Sequence, residues 1–505
     1  MKTKLFIIVL CQITIFTFSQ NVVLDNSFGN SGTVVTPNTS EIIDLAATTN
    51  GKIVTAGYSN QVSNLGIYHL SVAKNNQDGS PDLSFGTNGI VQTVIDYSEY
   101  VNDLLIQTDN KILIAGSYNL QPPPIGPGGR GSFLIRYLEN GSLDASFGAN
   151  GIVKIPNLTG DQITSIVLLP NNQILAGGNL NSLGCITKFN NDGSIDTSFA
   201  NSGIKTFNDP DFKFTFWDFI LLNDGSVLSC GYDYTISNQT NGAAVKVDLQ
   251  GNLDNTFGNN GKVILTIPSN PFPGFVYVGF TAIKETSDNK IILNGDFNIN
   301  KLVKLLPNGQ FDSSFGTNGI VNHNVPNRAI AIQENGKILV GGNKNISGFN
   351  NGYTISRFDA SGNLETDFNA TGFFDVDLSA GNDYLQCMQL QNDGKLLIGG
   401  STRPDQDASF ALTRITITDN LSVENNIFVN NQNKIYPNPF DNELNYNTKD
   451  KINKISVFDL QGKIISEMSN LTTNEKIKVN LNKGSYLLKT EFENGLKSIE
   501  KIIKN

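Results

Sequence analysis

The sequence predicts an all-β protein: a seven-bladed β-propeller closed by its N-terminal strand, followed by a small C-terminal β-sandwich. Three observations carry that prediction. An LDxSFGxxG-like turn recurs seven times, its aromatic anchors Phe28, Phe85, Phe147, Phe199, Phe257, Phe315 and Phe368 spaced by 57, 62, 52, 58, 58 and 53 residues, and self-similarity at such a period marks a repeat architecture. A GKILxGG-like strand accompanies each turn, ending at Gly57, Gly116, Gly178, Gly231, Gly295, Gly342 and Gly400. The two ends of the array are incomplete in complementary ways. Glycine is abundant, at 48 of 505 residues, and helix-forming runs are scarce, as expected of short strands joined by turns.

At the N-terminus, Lys2 and Lys4 precede an apolar stretch over residues 5–18 and then Ser19 and Gln20. This pattern reads as a secretory signal peptide over residues 1–20, too short for a membrane anchor. Cys11 lies inside the apolar stretch without the small residues that precede a lipidated cysteine. No other apolar run of about 18 residues is present, so no transmembrane span is expected. Cys185, Cys230 and Cys387 remain, an odd number in strand-like stretches; they read as buried thiols, with a single disulfide as the alternative, and their spacing fits no metal site.

Within each repeat the fourth residue after Phe is always glycine: Gly32, Gly89, Gly151, Gly203, Gly261, Gly319 and Gly372. Such a position needs φ > 0 or close backbone approach. The residue directly after Phe is glycine five times but Ala200 and Asn369 in the other two, which reads as a less demanding site. The aspartates Asp25, Asp144, Asp196, Asp254 and Asp312 stand two residues before Ser or Thr, the Asx-turn spacing. An array of calcium ligands is the alternative, but the flanking residues lack the dense oxygen donors of a calcium loop. The GKIL segments are apolar enough to be buried on both faces. With apolar stretches before and after them, and the GIV-type segment after each glycine, four strands form per repeat. The repeating Phe is the wedge between neighbouring sheets.

The first copy starts at Leu24 with the turn and its strand but no preceding sheet, whereas the last has three strands and no following LDxSFG. The N-terminal strand therefore completes the last sheet and removes the exposed edges. LDNSFGNSGTV, LDASFGANGIV and FDSSFGTNGIV, with GKILVGG partners, resemble delta-60 repeats, a family of β-propeller repeats in secreted bacterial proteins, over residues 21–418. Departures from the pattern are Pro81, Ala200, Glu365 and Asn369.

An Asn-rich segment, 419–434, reads as a linker. Residues 435–505 then alternate apolar and polar positions, with turns at Gln461-Gly462 and Lys483-Gly484, the pattern of a small antiparallel sandwich. YPNPF (Tyr436, Pro437, Asn438, Pro439, Phe440), VFDLQGKI with Gly462, KGSYLL with Gly484 and Tyr486, and the terminal KIIK resemble the type A C-terminal sorting domain of the type IX secretion system of Bacteroidetes. The resemblance implies recognition by the translocon and removal by the associated sortase, and passage through the periplasm and outer membrane to the cell surface or medium. An ordinary accessory sandwich is the alternative.

Residues 434–505 carry 12 lysines and nine carboxylates, net +3; the body after the signal carries 22 basic and 37 acidic residues, net −15. An acidic body repels nucleic acid and anionic membrane at long range. Only His69 and His323 are present, in unrelated parts of the repeat, so no Ser-His-Asp or two-histidine metal site is expected, nor any cofactor. Carboxylates gathered at a propeller axis are the one route to glycoside hydrolysis; the pairs Asp209 with Asp211 and Asp405 with Asp407 read as turns.

Binding is expected where the repetition fails. The Pro/Gly-rich insertion at 121–131 lengthens one step. Residues 212–219 contain Phe214 and Trp217, the single tryptophan, and one repeat later come Phe272, Phe275 and Tyr277. Together these form a candidate aromatic patch for a sugar ring or a protein partner, with blade packing as the alternative. The expected function is a non-enzymatic binding or adhesion scaffold for a glycan or surface protein; a polysaccharide-degrading propeller and a structural envelope module are the alternatives.

Overall fold

The computed structural model describes residues 22–62, 67–120, 130–155, 162–180, 183–209, 212–234, 241–266, 279–296, 300–347, 350–403, 408–418, 434–448, 451–459, 464–471, 474–479, 481–493 and 497–505. The signal peptide and nearly all of the linker lie outside them. The chain divides into two compact units, Met1–Thr418 and Asp419–Asn505.

In the first unit the described strands form seven antiparallel sheets, each meandering from a first strand to an outer one. The first strands are Glu41–Ala47, Ser98–Ile106, Gln162–Leu168, Phe212–Leu221, Gly279–Glu285, Ala329–Ile332 and Tyr384–Leu390. Each packs against its counterpart in the next sheet, and the seventh returns to the first. They are thus the inner strands of a closed ring, a β-propeller. The seventh sheet takes its first three strands from residues 384–417 and is completed by Val22–Leu24 and Thr33–Thr36. Val22 pairs with Ile417 and Thr36 with Phe410, across the whole unit.

The repeated phrases build one recurring side-chain network. Every anchor Phe is buried, none more than 4% exposed. Above each ring, at 4.4–5.9 Å from its centroid, lies a cation of the sheet's third strand: Arg414, Lys74, Arg136, Lys188, Lys246, Lys304 and Arg357 in anchor order. A buried cation over an aromatic face contributes about 1–2 kcal/mol. The turn carboxylate supplies its counter-charge, as in Arg136–Asp144 and Arg414–Asp25, both 2.7 Å. At Phe315 the arrangement shifts: Lys304 donates to the Ala360 carbonyl, and Lys290 holds Asp312 at 3.1 Å.

The aspartates make the expected Asx turns; Asp144 accepts the Ser146 amide at 3.1 Å and its hydroxyl at 2.6 Å. The remaining oxygen is taken by a cation, often the lysine of GKIL, as in Lys52–Asp82 and Lys395–Asp25 at 2.8 and 3.0 Å. The two repeat phrases are thereby joined, and lysine ammonium fills the place a calcium ion would need. Burial opposes ionisation of Asp144, but the Ser146 donors and the Arg136 charge outweigh it and hold its pKa at about 2. At Asp312 the Ser314 hydroxyl is the largest influence and, with Lys290, gives a value of about 2.

One reading of the repeat needs correction. The residue after Phe is as demanding as the glycine four positions on: φ is 51–57° at its five glycines, 43° at Ala200 and 50° at Asn369. A Cβ on Gly29 would lie 2.4 Å from the Thr33 carbonyl oxygen. Ala200 therefore sits in a left-handed conformation that costs an L-residue about 1 kcal/mol. In the five glycine copies this conformation points the amide into the adjoining sheet, where, for example, Gly29 donates to the Asp78 carbonyl and Gly148 to the Asp192 carbonyl.

Cys185, Cys230 and Cys387 are buried thiols. His323 is buried against Phe358, ring centroids 5.4 Å apart, and burial pushes its pKa down to about 4. His69 faces Glu99 at 2.9 Å.

The second unit is a two-sheet sandwich: Lys434–Tyr436, Glu443–Asn447 and Asn474–Lys478 form one sheet, and Ile464–Leu471, Ile452–Phe458, Gly484–Phe492 and Lys497–Lys504 the other. Phe440, Tyr446, Ile455, Val457, Leu488 and Ile502 are among the side chains that fill its core. The YPNPF segment is fastened to the terminal strand. Phe440 is fully buried, its amide donates to the Ile503 carbonyl, and Asn438 donates to the Lys501 carbonyl while accepting the Ile503 amide. Tyr436 is half exposed, and the Tyr486 hydroxyl donates to the Asn482 carbonyl, across the bend before Gly484. Gly462 lies outside the described residues.

Candidate site on the inner strands

Six of the seven inner strands carry a β-bulge at the same register, leaving Ile43, Asn102, Thr164, Trp217, Thr281 and Gln386 unpaired. Arg328 occupies the corresponding place before the sixth strand. A bulge bends the strand and re-aims its extra side chain. Here it breaks the burial of the inner strands: Trp217 and Arg328 are exposed and the other five are half-buried. These seven residues form a ring around the propeller axis that is chemically different at nearly every position, in contrast to the repeated turns.

The next residue in each strand faces the adjoining sheet. Where it is aspartate it bridges two sheets. Asp44 accepts its own sheet's Leu45 amide and the next sheet's Leu104 amide, both at 2.9 Å. Asp103 accepts Leu104 at 2.8 Å, Ile166 at 2.6 Å and the Ser165 hydroxyl at 2.8 Å. Asp218 accepts Phe219 at 2.8 Å and Ile283 at 3.0 Å. Apart from Asn208–Asp209, which pairs with the start of Phe212–Leu221, no further described strand pairs with the inner strands, so these carboxylates satisfy amides on a free edge. Asp44 and Asp103 also bond to each other. Burial raises both pKa values, and at Asp103 the Asp44 charge raises it further. Two carboxyls in contact share a proton.

A second polar chain crosses three sheets. Arg328 Nε donates to Gln386 Oε1 at 2.5 Å, Gln386 Nε2 donates to Glu41 Oε1 at 2.6 Å, and the Tyr58 hydroxyl donates to Glu41 Oε2 at 2.7 Å. Tyr58 packs with Tyr68 and Tyr100 at centroid distances of 4.9–6.3 Å. Burial, with the Glu41 charge, pushes the Tyr58 phenol far above its usual value, so it acts only as a donor.

The structure separates the residues of the sequence-derived patch. Trp217 is 45% exposed, at the bulge. Phe214 is fully buried in a cluster with Phe207, Phe212, Phe216 and Phe219; its ring centroid lies 4.7 Å from that of Phe216. It belongs to the core and is closed to a ligand, because alternation along the strand turns it between sheets. Phe272, Phe275 and Tyr277 lie outside the described residues, as do Asp211, Asp405, Asp407 and most of the Pro/Gly insertion. Sequence reasoning missed the bridging aspartates and the seven stacked cations. The cations had a signal: in six copies a lysine or arginine stands 11 residues before the anchor Phe.

Residues 434–505 match the family model of a secretion system C-terminal sorting domain, and the chain carries a type IX sorting tail. Residues 48–85, 107–147, 169–199 and 286–315 match a β-propeller domain of unknown function (DUF5122). No curated protein matches the chain. Among solved structures, a streptogramin B lyase aligns with TM-score 0.41 and 13% identity over 76% of this chain and 98% of its own. YCF48 bound to D1 peptide aligns with TM-score 0.40 and 11% identity over 77% and 96%. PorZ of Porphyromonas gingivalis, described as a surface component of the type IX secretion system, aligns with TM-score 0.33 and 10% identity over 92% of this chain and 59% of its own. Among the described residues no helix is long and apolar enough to cross a membrane. The protein is a propeller exported to the cell surface or secreted through its C-terminal sorting domain.

Proposed function

We propose that this secreted propeller is a non-enzymatic binding scaffold, that its ligand is a glycan or another surface protein, and that the ligand meets Trp217 on the axial ring. The observation that carries this reading is the exposure of the single tryptophan at a bulge, on a strand whose other aromatic rings are buried. An exposed indole offers an apolar ring face together with an N–H donor, which suits a sugar ring or a protein partner. The degradative alternative requires free axial acids. Asp44, Asp103 and Asp218 are each engaged by at least two donors, which favours a structural role for them.

The test is binding of the secreted protein to a glycan array and to outer-membrane extracts, compared with Trp217→Ala. Loss of binding in the variant with unchanged melting supports the scaffold. Turnover of a polysaccharide abolished by Asp218→Asn would establish the enzyme instead; no binding and no turnover, with a surface defect in a deletion strain, would establish the structural module. For the tail, we propose that the translocon and sortase act on residues 435–505. Deleting them should hold the protein in the periplasm, and normal surface delivery of the truncated chain would remove the sorting role.

A further inference from the structure

The scaffold reading above, on which this section rests, leaves the ligand class open, and the face of the fourth sheet around Trp217 narrows it. Along the inner strand Phe212–Leu221 the buried rings of Phe212, Phe214 and Phe216 turn toward the third sheet, where they join Leu175 and Ile186 in one cluster. Alternation puts Lys213 and Thr215 on the other face, the first exposed and the second half-buried. That face looks to the fifth sheet. On the second strand Tyr232 stands opposite Thr215, and a Cβ on Gly279, at the start of the fifth inner strand, would lie 2.8 Å from the Tyr232 Cβ.

Tyr234 follows on the same side. Its amide donates to the Lys213 carbonyl at 3.0 Å, and its ring centroid lies 6.2 Å from that of Tyr232; both tyrosines are half-buried. Trp217 joins them through its bulge. Residues at the same register elsewhere reach the next sheet round the ring: Asn102 Nδ2 donates to the Ile163 carbonyl of the third sheet at 2.5 Å, and Gln386 Nε2 to Glu41 of the first at 2.6 Å. The same backbone aims the exposed indole toward the fifth sheet, onto the face that carries Tyr232. Tyr232 is the diagonal cross-strand neighbour of Trp217, at about 7–8 Å, a separation that aromatic side chains span. Three aromatic side chains from adjacent strands therefore stand in a row on one sheet face.

We propose that the row Trp217, Tyr232 and Tyr234 is a platform for a neutral oligosaccharide, its successive sugar rings lying against successive aromatic rings. Each aromatic ring pairs an apolar face with a polar rim, an indole N–H or a phenol O–H, and Thr215 adds a hydroxyl beside them. The flanks are not apolar: Lys213 stands at one end, Gly279 faces Tyr232 from the fifth sheet, and the third-strand neighbour of Tyr232 is Gly242. A protein hot spot needs a surround of contacts that excludes water, whereas a hydroxyl-rich chain tolerates a wet margin. The row is longer than one ring, so it suits a chain rather than a monosaccharide. The body's net charge of −15 opposes an acidic glycan at long range.

Trp217 is the single tryptophan, so indole emission reports this site alone. Titrating the secreted chain with cellohexaose, xylohexaose, mannohexaose and laminarihexaose, and with glucose and hexagalacturonate for contrast, tests the assignment. At least one neutral hexasaccharide should move the emission to shorter wavelength saturably, with glucose and hexagalacturonate bound at least tenfold more weakly. Tyr232→Leu and Tyr234→Leu should each weaken that binding about tenfold. An emission unmoved by all four hexasaccharides, equally tight binding of glucose or hexagalacturonate, or indifference to both tyrosine variants overturns the oligosaccharide platform. The scaffold reading survives any of these if Trp217→Ala still abolishes capture of a partner in the array and extract experiments, and falls with the platform if no Trp217-dependent binding is found there. Thermal melts of each variant within about 2 °C of the parent separate binding from folding, and the emission response of the parent decides the matter should a tyrosine variant fail to fold.

Discussion

The turns and the inner strands of the propeller follow opposite rules. In the turns nearly the same solution is repeated seven times: a buried Phe, a cation over its face and a turn carboxylate that takes a cation, with the pairing shifted at Phe315. On the inner strands the backbone solution repeats, as a bulge at one register, while the side chains there differ from sheet to sheet. Where side chains repeat they are answering the fold. Where only the backbone repeats, the side chains are free to answer a ligand.

That contrast can be broken by substitution. Phe315→Ala should cost about 3–5 kcal/mol through the cavity it leaves, and Arg136→Ala about 2–3 kcal/mol, since the buried Asp144 loses its 2.7 Å partner but keeps Lys111 at 3.4 Å; both are read by denaturant melts, and both should leave ligand binding by the folded fraction unchanged. A melt unaffected by Phe315→Ala would remove the wedge role of the anchors.

The next effect concerns pH, and the two regions have opposite signs. Asp144 and Asp312 have folded pKa values of about 2, below the ordinary aspartate value of 3.8, so their stabilisation is complete above pH ~4 and is lost as pH falls toward 2. The Asp44–Asp103 pair has raised values, so its contribution is present at low pH and is lost as pH rises through the folded pKa. Asp103→Asn keeps an acceptor for the Ile166 amide and gives Asp44 a permanent donor. It should therefore gain stability relative to the parent on going from pH 5 to pH 9, by about 1–2 kcal/mol. A parallel pH profile for the two proteins would show that the pair carries no shared proton.

Smallest is Ala200→Gly, which should raise stability by up to about 1 kcal/mol by relieving a positive φ; an unchanged or lowered melting temperature would mean that glycine's unfolded-state entropy cancels the relief.

Much of the ring was legible because backbone demands repeat. The glycine four residues after Phe has φ of 82–95° in all seven copies, and a requirement of that kind leaves the same letter each time. The seam was legible because half a sheet at each end has one economical solution. The bridging aspartates were not, since the position reads Asp44, Asp103, Ser165, Asp218, Ala282, Ala329 and Cys387 and only its hydrogen bonds reveal a common place. Phe214 was misjudged because aromatic alternation along a strand does not say which neighbour faces the interior. Trp217 looked like one more member of that alternation, whereas the bulge after Phe216 shifts it out of phase.

The pairing of Val22–Leu24 with the strand that ends at Ile417 also makes folding a matter of order in time. No partner for the N-terminal strands exists until nearly four hundred residues have followed them. Contacts so distant in sequence form slowly, since the closing segment must first find its register against the entropy of a very long loop. Until then the chain carries six sheets that can assemble from local pairings and one unsatisfied edge at each end, the kind of surface that recruits other strands. The last step of folding is thus the one that makes the molecule safe to export, and a substitution at Val22 would act as a delay before it acted as a loss.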